Sequence, residues 1–132
     1  MAEEAKKKSA DISNVIALIG GTISFLSDEG ASQEDIAKLR EAIQRTKGAN
    51  EAGDQAKTMS GLQACKGLLD QIWQDLINKD FKLAESLIAK MMYSGIDSSA
   101  VEDALGKSRQ ANEKRKFKEA LFTVREGVNR AK

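Results

Sequence analysis

The 132-residue sequence contains no histidine. Histidine is the usual general base near neutral pH and the commonest metal ligand. Its absence excludes Ser–His and Cys–His nucleophilic machinery and the zinc and di-iron sites that need it. An enzyme that relies on carboxylates or lysine alone stays open. We expect a protein that is not an enzyme and that holds no cofactor or metal.

Cysteine is nearly absent as well. The one cysteine, Cys65, cannot form an intramolecular disulfide, and no Asn-x-Ser/Thr acceptor site occurs. Both features favour a reducing compartment, so we expect a cytoplasmic protein. Cys65 lies among apolar residues of a predicted helix, where a thiol is typically a small buried hydrophobe rather than a reactive group.

Long apolar runs are also missing, because none approaches the roughly 20 residues that cross a bilayer. The longest uncharged run, residues 12–27, follows Lys6, Lys7 and Lys8, an arrangement that partly matches a signal peptide. Nearby acidic residues interrupt the basic region, however, and polar residues dilute the uncharged run. We therefore predict a buried first helix and no membrane span.

The absence of proline points to helical structure. Ala, Lys, Leu and Glu are abundant, and these residues lose little side-chain entropy in a helix. With 41% apolar and 31% charged residues, the chain is too hydrophobic to be disordered. The sequence predicts an all-α fold of single-domain length.

The apolar pattern of residues 12–36 recurs 65 positions later. The matched pairs are Ile12 with Ile77, Ile16 with Phe81, Ile19 with Ala84, Ile23 with Ile88, Leu26 with Met91, Gly30 with Gly95 and Ile36 with Val101. Further on, residues 111–113 repeat residues 49–51 at an offset of 62, which predicts a second loop three residues shorter. The pattern indicates an internal duplication of about residues 11–72 and 76–131. We predict one helical domain, residues 11–132, made of two similar three-helix halves and preceded by a mobile tail, residues 1–10.

Glycines and capping residues predict where the helices begin and end. Gly30 and Gly95 are placed to stop helices in the left-handed conformation, and residues 48–53 are the clearest loop. A turn at residues 78–80 would separate the third helix from the fourth. The predicted N-caps are Asp11, Ser32, Asp54, Asp80 and either Asp97 or Ser98. The inward-facing residues would include Leu18, Met59, Cys65, Trp73, Ala111 and Val124, while Tyr93 could face either way.

A shorter period appears within the second half. Phe81, Ala84, Ile88 and Met91 recur 36 positions later as Phe117, Ala120, Val124 and Gly127. This pattern resembles the second helix of tetratricopeptide-type repeats. Members of that family are helix-hairpin solenoids that bind peptides or proteins in a groove, so the resemblance implies a scaffold or adaptor role. A compact bundle of five or six helices and a short α-solenoid both stay open.

Positive charge is concentrated at the end of the chain. Residues 107–132 carry nine basic and three acidic residues, about +6, which leaves about −5 on residues 1–106. Lys114, Arg115, Lys116 and Lys118 lie where the last predicted helix begins and its dipole adds positive potential. They are the candidate partner-binding residues. Three interpretations stay open: a solvated face, a site for an acidic protein segment, and a nucleic-acid surface.

These observations favour a protein–protein interaction or adaptor module that binds an acidic or amphipathic segment within a larger assembly. The alternative is a nucleic-acid-associated accessory protein that uses residues 107–132, although Phe117 and Phe122 fit a core better than a base-stacking platform. Self-association through a face that two incomplete repeats leave open is a third prediction.

Overall fold

The computed structural model describes residues 2–131, with side chains from residue 11 onward. This part of the chain forms five α-helices: α1 (Ala2–Asp28), α2 (Gln33–Glu51), α3 (Gln55–Tyr93), α4 (Ser99–Glu113) and α5 (Phe117–Ala131). No strand occurs within it. The predicted all-α class is therefore confirmed. The first helix begins at Ala2 rather than Asp11, because the Ala, Glu and Lys that precede Asp11 are strong helix formers. The predicted mobility of residues 1–10 stays a prediction.

The chain divides into two compact units, Met1–Ile72 and Trp73–Lys132. Unit 1 contains α1, α2 and the first part of α3. Unit 2 contains the rest of α3 together with α4 and α5. Each unit thus has three helical segments, while the internal duplication itself stays a prediction.

The turn predicted at residues 78–80 is wrong, since α3 runs through it without interruption. Asp80 does not cap a new helix. Its carboxylate instead accepts a hydrogen bond from Nε of Arg125 in α5, at 2.7 Å. Ile77 and Phe81, four positions apart, are both buried and keep one apolar face continuous across the predicted break.

The predicted length difference between the two loops is also wrong. The predicted loop at residues 48–53 is mostly the end of α2, and the turns after α2 and α4 both comprise three residues, 52–54 and 114–116. The difference lies in the helices, because α2 has 19 residues and α4 has 15. The difference of four residues is about one helical turn.

Unit 1 has its core along α1, α2 and the first part of α3. The buried residues are Ile16, Ile23, Leu26, Ala31, Ile36, Leu39, Ile43, Thr46, Thr58, Cys65 and Ile72. The predicted burial of Cys65 is confirmed. Leu18 and Met59 were predicted to face inward, but they are 72% and 54% exposed. Gly61 of α3 lies against Thr46 of α2, where an added Cβ would come closer than 3.0 Å to the threonine Oγ1.

Unit 2 packs α4 against α5 and both against the end of α3. Its buried residues are Trp73, Leu76, Ile77, Phe81, Ala84, Ser98, Val101, Leu105, Ser108, Ala111, Ala120, Leu121 and Val124. Trp73 is core, as predicted, with its ring centroid 6.0 Å from that of Phe117. Tyr93 is 95% exposed. The Ser108 hydroxyl donates to the Ala120 carbonyl at 2.5 Å, which fixes α4 close to α5.

The ion pair between Asp80 and Arg125 gives a testable prediction. Both side chains are partly shielded from water, so the pair should contribute more than a surface pair and less than a fully buried one. We expect Asp80→Asn to lower the free energy of unfolding by about 1.5 kcal/mol in urea denaturation. Glu126→Gln is the matched control, because it removes the exposed pair with Arg130 and should cost less than about 0.5 kcal/mol. Equal losses of stability in the two variants would contradict the larger contribution expected for the pair of Asp80 and Arg125.

Candidate basic interface at the α4–α5 turn

Four helices end in turns with the same backbone hydrogen bonds. After α2, the N–H of Gly53 donates to the carbonyl of Asn50 at 3.2 Å and that of Asp54 to Ala49 at 3.0 Å. After α4, the corresponding bonds run from Arg115 to Asn112 at 3.0 Å and from Lys116 to Ala111 at 2.9 Å. α1 and α3 end in the same way. This pattern is the Schellman motif, which needs one residue in the left-handed conformation.

The turn after α4 differs from the other three turns in the residue that takes the left-handed conformation. Gly30, Gly53 and Gly95 take the left-handed conformation with φ of 99°, 77° and 73°. Arg115 takes it with φ of 61°, as the only residue other than glycine with positive φ within residues 2–131. A side chain in this conformation crowds the backbone and costs roughly 1 kcal/mol or more. The α4–α5 turn therefore carries strain that the three glycine turns avoid.

The start of α5 also differs from the start of α3, in the residue that precedes the helix. Asp54 precedes α3, and its carboxylate accepts the N–H of Lys57 at 3.1 Å. Lys116 occupies the corresponding position before α5, where its carbonyl accepts the N–H of Ala120 at 2.9 Å. The Lys116 side chain contains only donors, so it cannot cap the helix. Its positive charge adds to that of the helix dipole rather than offsetting it.

Three lysines line a shallow groove beside this turn. The groove has a volume of about 220 Å³, and its walls are Lys107, Gln110, Ala111, Lys114, Lys116, Glu119 and Thr123. We call it the basic groove. Lys107 is 3.0 Å from a carboxylate oxygen of Asp103, which offsets its charge in part. Within residues 11–131, Lys114 and Lys116 form no ion pair and are exposed. Their ammonium groups are available to an anionic partner.

The structure divides the four predicted site residues into two pairs. Lys114 and Lys116 line the basic groove, whereas Arg115 and Lys118 are not among its walls. The Arg115 guanidinium lies 5.2 Å from the centroid of the Phe117 ring. The Lys118 ammonium lies 5.8 Å from that of Phe122. Phe117 is half-buried, but Phe122 is 45% exposed, so its predicted place in the core is wrong.

Lys107 also lines the groove, although it was predicted only as the first residue of the basic stretch 107–132 and not as one of the four candidate site residues. A signal is present in the sequence, because Lys107 lies in α4 seven positions before Lys114, the residue that directly follows the helix, and this spacing is about two helical turns. Glu119 also reaches the groove and reduces its positive potential. The arrangement can bind an anionic group through two or three ammonium donors.

Across residues 2–131, no helix combines the length and the apolar character needed to cross a membrane. Among the side chains of residues 11–131, no three of His, Cys, Asp or Glu are grouped so that they could hold a metal ion.

The chain was compared with protein-family models, with curated proteins and with solved structures. None of the three comparisons finds a match. The resemblance to tetratricopeptide-type repeats therefore stays a prediction, and function is inferred from the residues of the chain.

Proposed function

We propose that the protein is a non-catalytic interaction module that binds an acidic segment of another protein in the basic groove. The observation that carries the proposal is the turn at residues 114–116. Three consecutive basic residues lie there, and the middle one holds a strained conformation that glycine holds in the three other turns. Strained residues cluster at binding sites, where the surrounding structure maintains them.

The charges of the groove favour a carboxylate-rich partner. Lys114 and Lys116 lack ionic partners within the described residues, and the start of α5 beside them has no side-chain cap from Lys116. Carboxylates would form charge-assisted hydrogen bonds with both ammonium groups. At the corresponding turn of unit 1, the carboxylate of Asp54 already satisfies the helix start from within the chain.

A nucleic-acid surface is the second candidate, and the exposure of Phe122 favours it. An exposed aromatic ring beside a basic residue can stack on a base of single-stranded RNA or DNA. Lys118 supplies the neighbouring charge at 5.8 Å from the ring centroid. We place this candidate second because the Lys118 ammonium already lies over the ring and Glu119 lines the adjacent groove.

The wider setting of the module is part of the proposal. The resemblance to tetratricopeptide-type repeats and the adaptor role that it implies support a place in a larger assembly in the cytoplasm. Light scattering of the free chain at high micromolar concentration tests self-association, the third predicted mode. A strict monomer would exclude it.

Charge reversal in the basic groove tests the proposed function. The variant is Lys114→Glu with Lys116→Glu, and the probes are a fluorescent hexaglutamate-containing peptide and a single-stranded oligouridylate. We expect the variant to lose at least about tenfold in affinity for the peptide, because two attractive contacts become repulsive. Fluorescence anisotropy at several salt concentrations measures the affinity. A peptide that binds the variant as tightly as the unchanged chain would contradict the proposal.

The matched control is Lys47→Glu with Lys66→Glu, two exposed positions of unit 1. It changes the net charge by the same amount and should leave peptide binding within about twofold at moderate salt. The oligouridylate separates the two candidates. The nucleic-acid surface would come first if the chain bound the oligouridylate tightly and did not bind the peptide. In that case the RNA affinity should depend steeply on salt in a log–log plot and should be lost in Phe122→Ala.

A further inference from the structure

A second, larger groove continues from the basic groove along α4 and α5. The two grooves share Lys107 and Thr123. The larger one has a volume of about 400 Å³, and we call it the apolar groove. Its apolar walls are Met91, Ala100, Val101, Ala104, Gly127 and Ala131. Small residues make most of this surface, which leaves room for a side chain from a partner.

The charges at the rim of the apolar groove are already paired within the chain. Lys107 is 3.0 Å from Asp103, and Arg130 is 2.5 Å from Glu126. The carboxylate of Asp97 accepts hydrogen bonds from the Ser99 hydroxyl at 2.5 Å and from the Ser99 N–H at 3.0 Å. These two bonds lower the pKa of Asp97 below its ordinary value, the hydroxyl contributing more. Among the described residues, the rim therefore presents no unpaired positive charge, in contrast to Lys114 and Lys116.

The two grooves thus differ in the group that each one fits. An acidic group is attracted by the positive charges of Lys114 and Lys116. Around the apolar groove it would be repelled by the carboxylates of Asp97, Asp103 and Glu126. A neutral apolar side chain gains by covering Ala104 and Gly127, because burial removes apolar surface from water. Charge complementarity therefore orients a partner segment along α4.

The separation of Ala104 in the apolar groove from Lys114 in the basic groove determines how far apart the apolar and acidic residues of the partner must lie. Ala104 lies in α4, and Lys114 directly follows the last residue of that helix, ten positions later, which corresponds to about 15 Å along the helix axis at a rise of 1.5 Å per residue. An extended segment covers this distance in about four to five residues, and a helical segment in about ten. Met92 and Ile96 are exposed and are chain neighbours of the groove residues Met91 and Asp97. A longer apolar stretch of the partner could contact them.

We propose that the partner is an amphipathic protein segment whose apolar side chain fills the apolar groove while acidic residues about 15 Å away along the segment bind Lys114 and Lys116. This inference rests on the proposed function and specifies the chemistry of its partner. The acidic residues supply attraction and orientation, and the apolar side chain supplies the additional affinity.

Synthetic peptides of matched composition test this inference. One extended peptide separates a leucine from three glutamates by about four serines, a second places the leucine next to the glutamates, and a third replaces the leucine with serine. Each is titrated into the complete ¹⁵N-labelled chain and followed by two-dimensional NMR. We expect the first peptide to bind roughly tenfold more tightly than the third and to shift the amide signals of Ala104 and Gly127 as well as those of Lys114 and Lys116. The second should shift only the last two.

A variant that fills the apolar groove supplies the independent check. Ala100 is exposed and lines the groove, so Ala100→Trp should block it and reduce binding of the first peptide to the level of the third. The control is Ala37→Trp at an exposed position of α2, which should change nothing. If all three peptides bind equally and through Lys114 and Lys116 only, this inference is overturned and the proposed function stands. If none of them binds, both are overturned.

Discussion

Replacing Ala120 with leucine is expected to lower the free energy of unfolding by about 3 kcal/mol. Ala120 has no exposed surface, and its carbonyl accepts the Ser108 hydroxyl at 2.5 Å, so α4 and α5 are already close at this point. A leucine adds three carbon atoms where packing leaves no room for them, and the helices would have to separate. Chemical denaturation monitored by circular dichroism measures the loss.

Ala84 and an exposed alanine extend this prediction. Ala84 of α3 is also completely buried, and Ala84→Leu should cost a similar amount. Ala89, in the same helix, is exposed, so Ala89→Leu should change stability by less than about 0.5 kcal/mol. A loss below about 0.5 kcal/mol in Ala120→Leu would mean that the recurring small residue is not a position of close helix approach.

Replacing Gly127 with alanine should cost about 2 kcal/mol, although alanine is the better helix former. The reason is contact between α4 and α5. A Cβ at position 127 would come closer than 3.0 Å to the Cβ of Ala104, which has no flexible end that could move away. The steric cost outweighs the gain of about 1 kcal/mol that alanine normally brings in a helix.

A double-mutant cycle and a control isolate that contact. Ala104→Gly removes the opposing Cβ, so in this background Gly127→Ala should be nearly neutral or stabilising. Gly106 of α4 has nothing within 4 Å of a built Cβ, and Gly106→Ala should raise stability by about 1 kcal/mol. If Gly127→Ala were also stabilising in the unchanged chain, the close approach of the two helices would be refuted.

Local signals in the sequence predict most of the helix ends. Gly30 and Gly95 stop helices in the left-handed conformation, as expected. Ser32 accepts the N–H of Asp35 at 3.5 Å and Asp54 that of Lys57 at 3.1 Å, so both N-caps are confirmed. These features are predictable because each depends on residues within a few positions along the chain.

Two of the wrong predictions, the cap at Asp80 and the burial of Leu18 and Met59, have long-range causes. Asp80 has the features of an N-cap, but its carboxylate binds Arg125, which is 45 positions away. Leu18 and Met59 fit the helical period, yet their burial depends on whether another helix covers that side, which periodicity alone does not determine. The length difference between the two predicted halves falls within α2 and α4 rather than in a loop, and its four residues are about one helical turn.

The presence of a basic cluster was predictable from the sequence, but the arrangement of its side chains was not. The sequence indicates a basic cluster at Lys114, Arg115, Lys116 and Lys118, but it does not show that only the first and third line a groove. The left-handed conformation of Arg115 has no local signal, because glycine is the residue that normally marks it. In the structure, Arg115 occupies the place that glycine occupies in the three other helix-ending turns.

The most direct test of the central claim is to measure stability and binding together in Arg115→Gly. We expect opposite effects in this variant. The free energy of unfolding rises by about 1 kcal/mol because the strain at φ of 61° is relieved, while affinity for the acidic peptide falls because a positive charge and a fixed turn are lost. Gly53→Arg, at the corresponding turn of unit 1, should lower stability and leave peptide binding unchanged. A variant Arg115→Gly that gained stability and bound the peptide as tightly as the unchanged chain would contradict a binding role for this turn.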